Sequence, residues 1–444
     1  MRLSPATTSM TQSVPPSGAA RLTGSSRPAF ALHRRLWATG LLTLMAACET
    51  PVTTPASTTE IHLGGVFSLT GNWATLGVTS KAAMEVGIQD VNAYLAAGGS
   101  GVHFTATIVD TRLDTAATLT AVRAMKADNI EVVIGPQSSA EVAALKAFID
   151  ANNMLVISPS STAGTLAIAN DNVFRLTPSD TLEAVALVGL MKADAVKTII
   201  PYWRKDAGNI GLQVATRALF TPVGTVKAGV EYAATTTDFA PSLALLKTQV
   251  QAAITERGGT AGVAVAHAGF DEVVDIFNLA AGDPVLASVR WYGTDGTALN
   301  EPLRANARTA AFAKAVGFWT PTPGVDDGAS ARWQPVATRI AAIAKSPPDA
   351  FALAVYDAVW LAAQAYLAAG HDNRGSATHV GALKSALVTA AGGFYGASGW
   401  TKLNAAGDRQ YGNFDFFALS QVGTAYGWGL AAQFNTQTSL LVRK

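Results

Sequence analysis

At 444 residues the chain exceeds one typical domain and has room for two lobes and a targeting segment. Its 49% hydrophobic and 14% charged residues allow large buried cores and exclude a disordered polymer. With Lys+Arg 32 against Asp+Glu 31, a formal net charge of +1 excludes the electrostatic footprint of a protein that binds nucleic acid or anionic lipid.

The N-terminus reads as an export signal. His33, Arg34 and Arg35 are followed by an apolar run over 36–47 and then by Cys48, the one cysteine of the chain. The run has signal-peptide length and is too short for a permanent span, which needs roughly 20 residues. A lone cysteine excludes an internal disulfide and any CxxC redox or zinc site. Leu44-Met45-Ala46-Ala47-Cys48 resembles the lipobox of bacterial lipoproteins, with Met45 where leucine is commoner. That resemblance implies a lipoprotein signal peptide over 1–47, acylation of Cys48, and a location in the periplasm or cell envelope. The rival reading is an ordinary secretory signal with an incidental cysteine. Met10 competes with Met1 as the start, and Arg34-Arg35 is a faint twin-arginine signal. Residues 48–59, rich in Thr and Pro, cannot build a core and read as an extended tether.

From residue 60 onward strand and helix signals alternate. Residues 61–67 form a buried-strand run, and Met84, Ile88, Val91 and Leu95 recur at helical spacing before Gly98-Gly99. Strands are predicted over 104–109, 130–134 and 154–157, with helices over 116–127 and around Val142, Leu145, Phe148 and Ile149. After a break at Leu176-Thr177-Pro178, further strands are predicted over 196–200, 226–230, 262–266 and 289–292. Such alternation implies βαβ units and mainly parallel sheets covered on both faces; so many strands suit two sheets in two lobes.

The search for chemistry excludes several classes. No phosphate-binding G-x-x-x-x-G-K-[ST] occurs, and Gly64-Gly65 lies inside a strand instead of opening a helix. Gly396-Ala397-Ser398-Gly399 lacks the spacing of a serine-hydrolase elbow. His267 with Asp271 could meet across a helical turn as metal ligands, but no third ligand is near; Asp326-Asp327 falls in a Pro/Gly-rich loop. No catalytic constellation, metal site or cofactor is read. What remains are polar strand ends, where open α/β sheets bind ligands. The strand over 130–134 ends in Gln137-Ser138-Ser139 before a helix, and the next ends in Ser158-Pro159-Ser160-Ser161-Thr162. A helix start with hydroxyls suits a carboxylate, and plain N-capping is the competing use.

Residues 65–77, Gly65-Val66-Phe67-Ser68-Leu69-Thr70-Gly71-Asn72-Trp73-Ala74-Thr75-Leu76-Gly77, resemble the opening motif of type I periplasmic solute-binding proteins, the leucine/isoleucine/valine-binding family of ABC transporters. Ile134-Gly135-Pro136 with Ser138-Ser139, Ile157-Ser158-Pro159 with Ser161-Thr162, and Tyr292-Gly293-Thr294-Asp295-Gly296 resemble its following motifs in order, as do Tyr356-Asp357-Ala358 and the stretch from Gly396 to Arg409. The resemblance implies two Rossmann-like lobes with parallel central sheets joined by three crossovers. Lobe 1 would comprise 60–176 plus 298–410, and lobe 2 177–297 plus 411–444. It implies an ABC-transporter substrate-binding protein, a monomer without enzymatic activity, that closes on an amino acid of branched-chain type or a related small polar solute and delivers it to permease subunits. A ligand-sensing receptor component of the same fold, for amides or other small solutes, is the alternative. By the same resemblance Ser139 and Thr162 hold a carboxylate, with Ser138 and Ser161 beside them, while a carbonyl near Ser160 shares the ammonium with Asp295. Trp73, Tyr202, Trp203 and Phe270 are the candidate pocket walls. The family's usual tyrosine near residues 266–270 is missing, and Ser138 stands at one of its cysteine positions.

Overall fold

Residues 58–444 are described in the structure, a computed structural model; the signal segment, Cys48 and most of the tether lie outside the described residues. The first sheet is built from β1 (Thr59–Phe67), β2 (Val102–Asp110), β3 (Val132–Ile134), β4 (Leu155–Ser158) and β5 (Val173–Arg175), interleaved with helices α1 (Ala74–Ala97), α2 (Thr115–Ala127) and α3 (Ser139–Ala151). Its order is β2-β1-β3-β4-β5 with every pairing parallel. From Leu63 to Phe67, β1 is buried at every residue, as a strand covered on both faces must be.

The second half continues with α4 (Asp180–Ala193), β6 (Thr198–Lys205), α5 (Ala207–Phe220), β7 (Thr225–Val226), β8 (Val230–Ala233), α6 (Ala240–Arg257), β9 (Val263–Ala268), α7 (Val273–Ala280), β10 (Arg290–Tyr292), α8 (Glu301–Ala305), α9 (Ala307–Ala315) and β11 (Trp319–Pro323). Then α10 (Ser330–Ala344), α11 (Ala350–Ala369), α12 (Ala377–Gly393), β12 (Tyr395–Gly396) and β13 (Gly399–Trp400) precede a closing antiparallel set, β14 (Phe414–Val422), β15 (Ala425–Asn435) and β16 (Leu440–Arg443). The second sheet has nine strands in the order β16-β15-β14-β11-β10-β9-β6-β7, with β8 also pairing β6. It is therefore mixed: parallel through β6, β9, β10 and β11, and antiparallel from β14 onward.

Each sheet has a core on both faces. In the first lobe Met84, Val91, Leu353, Val359 and Leu383 cover one face, and Val122, Met125, Val142, Leu145 and Ile149 the other. In the second, Leu246, Val250, Phe277 and Phe312 lie on one face, and Leu187, Met191, Leu212, Phe220 and Phe434 on the other. Each such side chain contributes roughly 1.5–3 kcal/mol by leaving water.

One lobe boundary differs from the expectation. The stretch 298–323, expected in lobe 1, belongs to the second sheet, where Tyr292 of β10 registers with Trp319 of β11. The physical reason is aromatic packing: Phe312 and Phe318 sit edge-on against Phe277 at 4.9 and 4.8 Å. The chain returns to the first lobe only with α10. It passes between the two sheets at three places: between β5 and α4, between β11 and α10, and between β13 and β14.

Candidate functional site

The ends of β1, β3 and β4 meet where strand order reverses, between β1 and β3. Such a switch point leaves a crevice beyond the carboxyl ends of the strands. Hydrogen bonds lock its loops: the Gln137 Oε1 accepts the Ser68 N–H at 2.6 Å, Ser158 Oγ donates to the Pro136 carbonyl at 2.6 Å, and Ser160 Oγ to the Gln137 carbonyl at 2.9 Å. Ser138 caps α3 in a capping box with Glu141, donating to Glu141 Oε2 at 2.7 Å. Ser139 Oγ accepts from the N–H groups of Thr162 and Ala163 at 3.2 and 3.1 Å, and from Ser161 Oγ at 3.1 Å. An oxygen so fully engaged as an acceptor has its own proton left to donate.

The opposite wall comes from the second lobe. The helix starts of α4 and α5 and the turn after β10 bring Asp180, Gly208, Asn209, Leu212 and Asp295 against Ser139 and Thr162, around a small, tightly closed cavity. Gly211 allows the approach of α4 and α5, since a Cβ there would lie 2.6 Å from Asp180 Oδ2.

The cavity is acidic. Asp180 is 2% exposed, and neither of its carboxylate oxygens has a hydrogen-bond partner among the described residues. Burial pushes its carboxyl up to about 8, with the neighbouring Asp295 adding to the effect and the nearby Thr162 hydroxyl and Arg175 tempering it. Glu183 Oε1 accepts the Asp295 N–H at 3.0 Å. Burial raises both of these carboxyls, and the charge of Asp295 beside Glu183 adds to the effect there. No Lys or Arg lines the cavity among the described residues. The nearby guanidinium of Arg175 pairs with Asp408, and that of Arg204 with Asp206. The positive end of α3 is already met by the buried carboxylate of Glu141 in its first turn.

Side chains from both lobes close the mouth. Trp73 stacks on Phe270 at 4.2 Å and 23°, and the Arg204 guanidinium lies 5.5 Å from the Phe270 ring centre. Asn72 Nδ2 donates to Glu272 Oε2 at 2.7 Å while its Oδ1 accepts the Asp271 N–H at 2.9 Å. Thr75 Oγ1 and Asn300 Nδ2 both donate to Asp271 Oδ1, at 3.1 and 2.6 Å.

Of the side chains singled out in the sequence, Trp73, Ser138, Ser139, Ser160, Thr162, Phe270 and Asp295 border this cavity. Ser161 stands one hydrogen bond behind it, on Ser139. Tyr202 and Trp203 do not reach it. The strand expected to end at residue 200 runs on to Lys205, so both lie inside β6 instead of beyond its end. Tyr202 is buried in the lobe core with its hydroxyl 2.8 Å from Ser242 Oγ, and Trp203 donates to Glu231 at 3.1 Å. The Tyr232 hydroxyl occupies the place a side chain on Gly269 would take. His267 lies within β9, one residue before its end, and faces Tyr232 at 3.2 Å, while Asp271 faces Thr75 and Asn300, so the two do not share a helical turn. Burial holds the His267 imidazole down at about 4 and hence neutral. Asp180, Asn209 and Leu212 were not singled out; Ser179-Asp180 just after Pro178 carries a helix-start signature that marks a cap and says nothing of a cavity.

Residues 79–421 match the family model described as the receptor family ligand binding region. An uncharacterized protein of Methanocaldococcus jannaschii is 28% identical over 393 residues, 85% of this chain and 90% of that protein. Among solved structures, the branched-chain amino acid transporter substrate-binding protein LivJ of Streptococcus pneumoniae, in complex with isoleucine, superposes with a TM-score of 0.64 at 20% identity, covering 84% of this chain and 99% of that one. A solute-binding protein of an ABC transporter from R. palustris, in complex with benzoate, reaches a TM-score of 0.67 at 20% identity, covering 87% and 98%.

Proposed function

The chain belongs to the receptor family of ligand-binding regions and has the type I periplasmic-binding-protein fold, and from that premise we propose that it is the substrate-binding lipoprotein of an ABC transporter. It captures an amino acid, of branched-chain type or a related small polar solute, by closing its two lobes. The cavity between the lobes carries this reading, with Ser139 and Thr162 on one wall and Asp295 on the other. Hydroxyls facing a carboxylate complement a zwitterion: Ser139 and Thr162 donate to the carboxylate and Asp295 takes the ammonium. Trp73 and Phe270 then seal the mouth against water. Closure is a hinge motion carried by the three crossovers, and it presents the loaded protein to permease subunits. Cys48 carries the lipid that keeps it at the cell envelope.

A thermal-shift screen of the purified protein against amino acids, amides and small carboxylates tests the solute reading. A ligand at 100 times its dissociation constant stabilises by about 2.7 kcal/mol. Stabilisation by an amino acid, lost in Asp295→Ala, is the expected result; stabilisation by amides or carboxylates alone would sink the zwitterion assignment. For the anchor, Cys48→Ser should move the protein from the membrane to the soluble fraction.

A further inference from the structure

We infer that Asp180 is a second cation-binding carboxylate of the cleft, and that the solute this cavity selects carries a net positive charge: an amino acid with a basic side chain, or a small diamine. The inference rests on the reading of the cleft as the solute site and narrows its ligand.

Three observations carry it. First, Asp180 is buried, borders the cavity with the Thr162 hydroxyl nearby, and makes no hydrogen bond through either oxygen among the described residues. A buried carboxyl without a partner is costly, so its native complement is a donor that arrives from outside. Second, among the described residues no basic side chain lines the cavity to balance the acids. The charged groups facing Asp180 are Arg175 from β5, Asp206 at the start of α5, Asp295 beyond β10, and Glu183 on its own helix. Arg175 is committed to Asp408, with two hydrogen bonds at 2.6 and 2.7 Å. Arg204 is engaged with Asp206 at 2.9 Å. Third, the backbone donors that a second anionic group would need are already in use, which leaves the side-chain hydroxyls for a single carboxylate. The N–H groups of Thr162 and Ala163 point to Ser139 Oγ, and the α3 helix start is occupied by Glu141.

The charge balance follows. With Asp180 and Asp295 both ionised around a bound cation, the walls carry two negative charges. A zwitterion leaves that excess in place, whereas a solute with one extra ammonium halves it and a diamine cancels it. In the empty cleft Asp180 keeps its proton at neutral pH, and an arriving ammonium replaces that proton, which leaves to solvent.

Calorimetric titration of the full-length protein with L-ornithine, 1,4-diaminobutane and L-leucine, in two buffers of different ionisation enthalpy, tests this. The expected result is that ornithine or the diamine binds at least 10-fold tighter than leucine and releases protons. Asp180→Asn should weaken that cation at least 10-fold while leaving the melting temperature of the unliganded protein unchanged or higher. Leucine binding more tightly than either cation, and unaffected by Asp180→Asn, would overturn the inference and leave the solute-binding reading intact. A fall of several degrees in the unliganded melting temperature of Asp180→Asn would make Asp180 structural and overturn it as well. If none of the three amines binds, both the inference and the amino-acid reading fall.

Discussion

Replacing Asp408 by Ala tests how the last crossover is fastened. Arg175, 1% exposed, donates through Nε and Nη2 to the two Asp408 oxygens and through Nη1 to the Ala163 carbonyl at 2.6 Å. The backbone joins in, since Arg175 N donates to the Gly407 carbonyl at 3.0 Å and Arg409 N to the Arg175 carbonyl at 2.8 Å. The returning chain is thus clipped to the edge of the first sheet beside β5. Without the carboxylate the guanidinium stays buried with carbonyl partners only, a loss of about 3–5 kcal/mol. For about 390 folded residues the unfolding entropy is about 0.8 kcal/mol/K, so the melting temperature should fall by about 4–6 °C. Circular dichroism or scanning calorimetry reads this directly. Asp408→Asn should recover part of the loss through its remaining carbonyl oxygen, and a double-mutant cycle with Arg175→Met should show strong coupling. A shift below about 1 °C for Asp408→Ala would refute the argument, because the pair would then contribute nothing once formed.

Trp73→Ala removes the stack on Phe270 across the mouth, worth about 0.5–1.5 kcal/mol beyond area burial; solute affinity should fall about 2- to 10-fold, with a larger radius of gyration in scattering, and unchanged affinity would mean that the stack does not hold the lobes. The unliganded protein should lose stability as pH rises from about 4 to 8, because folded Asp180, pushed up to about 8, keeps a proton that the unfolded chain has released above its ordinary value of 3.8. Melting temperatures across that range should show a shallower decline in Asp180→Asn, and an unchanged slope would count against the proton. His267, held down at about 4, acts with the opposite sign, adding stability as pH rises from about 4 to 6.5. Tyr202→Phe loses the contact with Ser242 and about 0.5–1.5 kcal/mol of stability, but by its place in the core it should leave solute affinity as it was; an affinity loss in titration would put Tyr202 in the site.

The sequence by itself determined the alternation of strands and helices, because buried parallel strands must be apolar throughout and the covering helices amphipathic. It also marked the hydroxyl-rich ends of β3 and β4, where serine and threonine serve both capping and binding. Periodicity could not say where β6 ends, since Pro201-Tyr202-Trp203 reads equally as strand or loop, and two aromatic wall candidates were misplaced on that account. Nor could it assign α8, α9 and β11 to a lobe, because helices and strands of either lobe share one pattern; only the packing of Phe312 and Phe318 on Phe277 decided it. Tertiary structure alone turned Asp180 from a helix-start residue into a buried carboxyl facing Ser139 and Thr162. Its position depends on α4 and α5 meeting at Gly211, far from β3 and β4 along the chain. A local pattern encodes which face of an element is buried. Which charges meet across a cleft is settled only when the two lobes close on one another.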